Sequence, residues 1–593
     1  MSKPRRLFDC LEEQLNMGSV ETALAAKEDG KWRRYSTKEI IDIVDKLAAG
    51  LLALGISGND MSIEGRDKIA ILSKNRPEWI FLDLAVQKTG AILVPIYPTV
   101  HISDLEFALN DAQVKMVFVN DADMHQKVQN VLIKTPSVRG VYSFEKLNEV
   151  KHWKDILSEG KHEHFKHLTS ISERINTEDL FTIIYTSGTT GTPKGVMLSH
   201  HNVLSNVMST LPHFNLSKKT RVISFLPLNH IFERMVTYLF LFSGANIYYP
   251  ENLDNLGDAL KDVKPHMFTT VPRLLEKVYE RIMSKAEALT GVKKKLFFWA
   301  LSLANQYDIK KPGSYSYRLQ LRLANKIVFS KWREALGNEV QFIVTGAAAC
   351  PVKMIRIFTA AGVPILEGYG QTETSPVISV NGLKPEQRMF GTVGPVIDGV
   401  QVKIAEDGEI LCKGPNVMMG YYKRPDLTEE AIKDGWLHTG DIGTLVDNFF
   451  LKITDRKKEI FKTSGGKYIA PQPIENKMVE DPLIDQIMVV GANKKFAGAL
   501  IVPAFHVMKN WCKSNGIDAH NNEDMIVHPA VKQRFKEIVD ELNKNFSQVE
   551  QIKKFELLPY TWSIEGGELT PNLKLRRKVI MEKYHLIIER IYQ

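Results

Sequence analysis

The sequence predicts an α/β protein: a large N-terminal domain of parallel-type βαβ sheets carrying a small β-barrel-like subdomain, followed by a small C-terminal α+β domain. Three observations carry this. A chain of 593 residues exceeds what one hydrophobic core serves. Apolar strand-like runs alternate with helical spacing through the first half, the pattern of a largely parallel sheet. After Thr454 the texture changes to a charged run, a glycine pair and a compact strand–helix alternation.

Taken in order, Ser36-Thr37-Lys38-Glu39 is a capping box, and Ile40, Ile43, Val44, Leu47 and Leu51 continue at helical spacing. The apolar runs 69–72 and 91–95 flank a helix through Trp79, which makes a βαβ unit. Residues 116–119 and 180–184 read as further buried strands. Lys161-His162-Glu163-His164-Phe165-Lys166-His167 reads as a solvated connection, since interleaved lysines and the lack of a companion cluster argue against a metal site. From about 284 to 338 runs a helix-prone basic and apolar insertion, including Lys293-Lys294-Lys295-Leu296-Phe297-Phe298-Trp299. Two readings of it stay open: solvated helical packing, and a membrane-facing or acyl-channel element. Short β-prone runs from 391 to 453 suggest the barrel-like subdomain. The resulting division is 1–454 and 455–593.

Composition narrows the function classes. There are 77 Lys+Arg against 69 Asp+Glu, a net charge of +8, which suits anionic ligands or an anionic membrane surface. No arginine–aromatic motif points to nucleic acid. Cys10, Cys350, Cys412 and Cys512 are widely separated, suggesting neither disulfides nor zinc. The start carries charges but no apolar signal region, and no apolar run approaches the roughly 20 residues of a spanning helix. The expected location is the cytoplasm, in solution or peripherally attached to a membrane. Oligomeric state is not readable.

Tyr185-Thr186-Ser187-Gly188-Thr189-Thr190-Gly191-Thr192-Pro193-Lys194-Gly195 follows the strand 180–184 and precedes a helix expected near Ser199. Glycines admit close backbone approach, hydroxyls can donate to oxygens or ligate magnesium, and Lys194 adds charge, so phosphate is the natural guest. Four residues beyond Gly188 stands Pro193, not glycine, so this is not a Walker A loop. In Gly368-Tyr369-Gly370-Gln371-Thr372-Glu373-Thr374 a tyrosine between glycines can lie on a purine, and Glu373 can hold Mg²⁺ against phosphate. Asp434-Gly435-Trp436-Leu437-His438-Thr439-Gly440-Asp441 ends in a carboxylate able to accept from both hydroxyls of a diol. Further segments are Leu226-Pro227-Leu228-Asn229-His230, Gly346-Ala347-Ala348, Asp455-Arg456-Lys457-Lys458-Glu459, Thr463-Ser464-Gly465-Gly466-Lys467, and Gly567 through Arg577 with Lys574.

In this order the segments resemble the acyl-adenylate-forming superfamily, and within it the long-chain fatty acid CoA ligases. The insertion, the run from Asp434 to Lys458 and the pair Leu573-Lys574 favour that branch. The resemblance implies ATP-dependent ligation of a fatty acid to coenzyme A through an acyl-adenylate, with Mg²⁺ as cofactor. It implies that Ser187, Gly188, Thr189, Thr190, Gly191 and Lys194 hold phosphates, that Thr186 and Glu373 approach Mg²⁺, and that Tyr369 stacks on adenine beside Gly346, Ala347 and Gly368. Thr372 would contact the phosphate region, Asp441 the ribose, and Arg456 and Lys458 the nucleotide. Asp455 would be the hinge of a mobile C-terminal domain, Gly465 would line the pantetheine tunnel, Lys574 would bridge the reacting anions, and His230 would sit at the acyl carboxylate. Lys457 is read as merely solvated. The alternatives are a ligase that loads an acyl carrier protein and a non-catalytic adenylate-binding, membrane-associated protein.

Overall fold

The computed structural model describes residues 5–56, 60–186, 193–252, 254–311, 313–457, 459–464, 467–570 and 573–593. Two eight-stranded sheets dominate it. In the first, the parallel strands Arg221–Ile223, Asn246–Tyr249, Met267–Thr270, Phe342–Thr345 and Ile365–Gly370 are flanked by the edge strands Val377–Val380 and Lys31–Tyr35, with Leu24–Glu28 joining parallel to Asn246–Tyr249. In the second, Ile92–Pro95, Lys68–Leu72, Met116–Val119 and Gly140–Ser143 are parallel neighbours.

The βαβ unit forms as its sequence pattern predicts. Lys68–Leu72 and Ile92–Pro95 pair with Ile69 opposite Leu93, and the crossover helix Pro77–Lys88 opens on a proline whose missing N–H costs nothing there. That helix is buried all round, so its sequence lacks a polar stripe. With Thr37–Ala53, whose Ser36 cap accepts from the Glu39 amide, and Ile231–Ser243, it fills one core joining both sheets.

The helix expected near Ser199 forms, His200–Thr210 with Ser199 as its cap. The lead into it is a strand that the sequence pattern did not reveal: Lys194–Ser199 runs antiparallel to Leu180–Thr186 with Thr186 opposite Lys194. Val196 and Leu198 bury their side chains in the core, which is why this short run extends the sheet. Residues 162–167 are no mere connection but the start of the helix His162–Arg174, pinned by buried Leu168 and Ile171.

The insertion is helical: Gly291–Asn305, Tyr315–Ala324 and Ser330–Ala335 pack on Val352–Ala360 through Phe297, Ala300, Trp332 and Phe358. An antiparallel sheet of Gln401–Ile404, Glu409–Lys413, Trp436–Val446, Ile432–Lys433 and Phe450–Arg456 forms the barrel-like subdomain. The smaller C-terminal domain is built on Ile484–Val490, Gly498–Pro503 and Lys554–Leu557, with helix Pro529–Asn543 burying Phe535 and Ile538 against it. Among the described residues no helix is long and apolar enough to cross a membrane.

Candidate active site

A cavity with about 640 Å³ of empty space, its mouth included, opens where the parallel strands of the first sheet end. His230, Gly346, Ala347, Gly368 and Tyr369 line it, and the remaining wall is mostly apolar, including Phe232, Met235, Val236, Leu239, Val344 and Val380. Phe232, Met235, Val236, Leu239 and Phe240 all come from the helix Ile231–Ser243, whose run of apolar residues therefore serves both a core and a pocket. Phe214, also in the lining, stacks on Phe342 at 5.3 Å. No residue of 284–338 lines it among those described, so the acyl-channel reading of the insertion is not what this cavity displays.

At the mouth the residues around the two best-matched segments are bonded to one another. The Tyr369 hydroxyl donates to Asp441 Oδ2 at 2.6 Å, and Gln371 Nε2 donates to the same oxygen at 2.7 Å. Arg456 Nε lies 3.4 Å from Asp441 Oδ1. The buried carboxylate thus fixes the tyrosine ring and keeps lone pairs for further donors. Gly370 is required by packing, since a Cβ there would stand 1.6 Å from the Pro376 carbonyl oxygen. Ala347 holds φ +70, a left-handed conformation that costs a non-glycine residue energy and is met at sites the surroundings over-determine. Thr372 is buried at the start of the short helix Thr372–Thr374.

Glu373 receives the Tyr421 hydroxyl at 2.8 Å, and Lys194 Nζ stands 5.1 Å from the Tyr421 ring centre. Thr186, paired with Lys194 across the strands, has its hydroxyl 3.5 Å from the Lys194 carbonyl. The hydroxyl of Thr186 and the carboxylate of Glu373 are thereby drawn to the same region. Tyr421, a residue sequence reading missed, makes that link; it lies 48 positions from Glu373, beyond any local pattern. Ser187, Gly188, Thr189, Thr190, Gly191, Lys458 and Gly465 lie outside the described residues.

Lys574 reaches this region from the C-terminal domain. Thr570 shapes its perch: the Thr570 amide donates to the Lys574 carbonyl at 2.8 Å and the Lys574 amide to Thr570 Oγ1 at 3.0 Å. Burial lowers its pKa to about 8, Arg456 adding to the effect while Asp441, Glu459 and Glu373 oppose it. His230 caps the helix Ile231–Ser243, its Nδ1 accepting from the Phe232 amide at 3.1 Å. Burial, and secondarily Lys574, lowers its pKa to about 3, so the imidazole is neutral and carries its proton on Nε2. Lys574 therefore stands within electrostatic reach of His230, Glu373 and Asp441 together.

Asp455 is 1% exposed, accepts from the Arg456 amide at 2.6 Å, and leaves its other oxygen without a partner among the described residues. Burial raises its pKa to about 7. Lys457 is not merely solvated: it meets Asp407 at 2.6 Å and Glu409 at 2.9 Å, and Glu409 also accepts from the Gly440 amide at 2.8 Å. The charged run at 455–459 is thus tied to the subdomain that holds Asp441.

Comparison with known proteins agrees with this geometry. The AMP-binding enzyme family matches residues 11–422 and the AMP-binding enzyme C-terminal domain matches 458–593. The chain is 33% identical over 575 residues to long-chain-fatty-acid–CoA ligase FadD15 of Mycobacterium bovis, covering 95% of this chain and 93% of the relative. It is 32% identical to long-chain-fatty-acid–CoA ligase 1 of Homo sapiens, covering 95% and 83% of the two chains. Among solved structures, the anthranilate CoA ligase AuaEII in complex with anthranoyl-AMP superposes with a TM-score of 0.73 at 16% identity, covering 99% of each chain. The o-succinylbenzoate CoA synthetase of Bacillus subtilis in complex with ATP and magnesium gives 0.67 at 19% identity, covering 97% of this chain and 99% of that one. A match spanning both domains, on a fold whose strand ends carry this carboxylate, tyrosine and lysine arrangement, settles the family: the chain belongs to the AMP-binding enzymes.

Proposed function

We propose that this protein joins a long-chain fatty acid to coenzyme A at the expense of ATP, through an acyl-adenylate, releasing AMP and pyrophosphate. The observation that carries the reading is the apolar cavity opening at His230, Gly346 and Tyr369, with the Tyr369 hydroxyl bonded to the Asp441 carboxylate. A wall of this apolar character would take the hydrocarbon of an acid and leave its carboxylate at the polar mouth.

In the first half-reaction a carboxylate oxygen attacks the α-phosphorus of ATP and the bond to pyrophosphate breaks. Two anions must approach each other, and the Lys574 ammonium between them offsets their repulsion as charge develops. The neutral His230 can donate from Nε2 to the carboxylate without adding a charge of its own. Asp441 accepts from the ribose hydroxyls and holds Tyr369 for the base, with Gly346, Ala347 and Gly368 around it. Arg456 and Lys458 contact the nucleotide, and Thr372 with residues 186–191 and Lys194 cradles its phosphates.

Mg²⁺ fits the donor set: Glu373 spends one oxygen on Tyr421 and keeps the other, and the Thr186 hydroxyl is a second hard oxygen. Bound there, the ion neutralises phosphate charge.

For the second half-reaction we place the domain division at 454/455 and take Asp455 as the hinge. Turning about it withdraws Lys574 and presents Gly465 to the pantetheine arm, so that the thiol attacks the activated carbonyl and AMP leaves. AMP release measured with and without coenzyme A, over acids from acetate to oleate, tests the reading. CoA-dependent turnover that peaks at long chains is expected, and turnover confined to short or aromatic acids would overturn it.

A further inference from the structure

No described residue of the helical insertion lines the cavity, yet the insertion holds the positive charge of the chain. Residues 288–333 contain ten lysines and arginines and one acidic residue, Asp308, nine net charges where the whole protein has eight. Everything else is close to neutral.

One helix in this stretch continues without a break from Tyr315–Ala324 through a π-helical Asn325–Phe329 to Ser330–Ala335. It has two apolar faces. The inner one buries Ala324, Phe329 and Trp332, with Tyr317, Leu321 and Val328 packed beside them. The outer one carries Tyr315, Leu319, Leu323 and Ile327 at four-residue spacing, 74, 57, 49 and 46% exposed. A face that met only water would be polar. Alongside, at the same spacing, stand the exposed Arg318, Arg322 and Lys326, and among the described residues none of the three has an ion-pair partner. On the neighbouring helix Gly291–Asn305, Val292 is 72% exposed next to Lys293, Lys294 and Lys295.

An apolar ridge rimmed by unpaired cations suits a surface that is anionic outside and apolar beneath. A second copy of the chain does not supply that, because a symmetric contact would set this concentration of positive charge against itself. We propose that the outer face of this helix, with the lysine cluster at 293–295, docks on an anionic lipid bilayer. Tyr315, Leu319, Leu323 and Ile327 enter the headgroup boundary while Arg318, Arg322 and Lys326 meet lipid phosphates. The docking rests on surface chemistry alone; its benefit, access to an acid dissolved in the membrane, rests on the ligase reading.

The test is co-sedimentation of the full chain, without ATP or coenzyme A, with phosphatidylcholine vesicles and with vesicles containing about one-third phosphatidylglycerol. Binding to the anionic vesicles is expected to be at least roughly tenfold stronger and to weaken markedly between about 0.05 and 0.5 M salt. The triple variant Arg318→Gln, Arg322→Gln, Lys326→Gln and the triple variant Leu319→Ser, Leu323→Ser, Ile327→Ser should each lose at least roughly tenfold in binding. Neither triple removes an inward-facing side chain, so both should keep the melting temperature. Variants that fold and bind like wild type, or wild type that ignores lipid charge, would overturn the proposal. So would a dimer, seen by light scattering, that these variants dissolve while vesicle binding is absent.

Discussion

Arg234 and Lys574 are both cations withdrawn from bulk water, and the structure treats them oppositely. Arg234 meets both oxygens of Asp83, donates to Thr182 at 2.8 Å, and stacks against Phe181 and Trp79. Burial works against its charge, Asp83 more than offsets this, and its pKa is raised. Lys574 forms no ion pair among the described residues, and burial carries its pKa down to about 8. A satisfied charge serves the scaffold, whereas one left short of counter-charge is ready to receive anions.

The largest effect expected from breaking this contrast lies at the satisfied cation. Arg234→Ala leaves Asp83, 1% exposed, as a buried unpaired carboxylate and should cost about 3–5 kcal/mol. Denaturant unfolding of the large domain reads this, and a loss below about 1 kcal/mol would contradict it. Replacing both partners with apolar residues of similar volume should recover much of the loss.

Lys574→Ala should do the reverse. Stability should change by no more than about 1 kcal/mol, because Lys574 has no ion-pair partner among the described residues that its removal would strand. Adenylate formation should fall by about 10²–10³-fold, the scale of removing one preorganised electrostatic contact. Thioester formation from preformed acyl-adenylate should survive, and equal loss of both half-reactions would remove Lys574 from the role given to it.

The same lysine sets a pH dependence. Its ammonium form is lost as pH rises through about 8. The kcat/KM of the adenylation step, which reports the free enzyme, should therefore decline by about tenfold per pH unit above that value. With its pKa near 3, His230 adds no limb between pH 5 and 8. Lys574→Arg, charged throughout, should erase the alkaline limb whatever it does to the absolute rate. A limb that persists in this variant would have to come from another group.

Much of the fold was legible because its signals are local. Ser36 capping its helix, Pro77 starting another and the paired apolar runs around them are each specified within a dozen residues. What escaped was set at a distance. Nothing near Leu24 says that it will lie beside Ile247, and nothing near Tyr421 says that it will meet Glu373. The segments around Tyr369 and Asp441 stood out by resemblance, but the bond that joins them across 72 positions is a product of the fold. The ion pairs of Lys457 have no local signal for the same reason, since Asp407 and Glu409 reach it only after the subdomain has formed. The cavity wall, assembled from several strands and helices, leaves no linear trace at all.

The smallest effect sharpens the contrast at the perch of Lys574. Leu573 holds φ +59, the left-handed region that a Cβ disfavours and that glycine adopts without strain. The strain of about 1–2 kcal/mol has a return, because the Leu573 side chain packs against the cluster of Trp562, Leu569 and Ile580. Leu573→Gly would release the strain, lose that packing, and loosen the unfolded chain by roughly 0.5–1 kcal/mol. These contributions oppose each other, so stability should shift by less than about 1 kcal/mol and adenylation by only a few-fold. If the leucine instead positions the lysine through its packing, adenylation would fall far more than stability, and the perch of Lys574 would prove as braced as the site of Arg234.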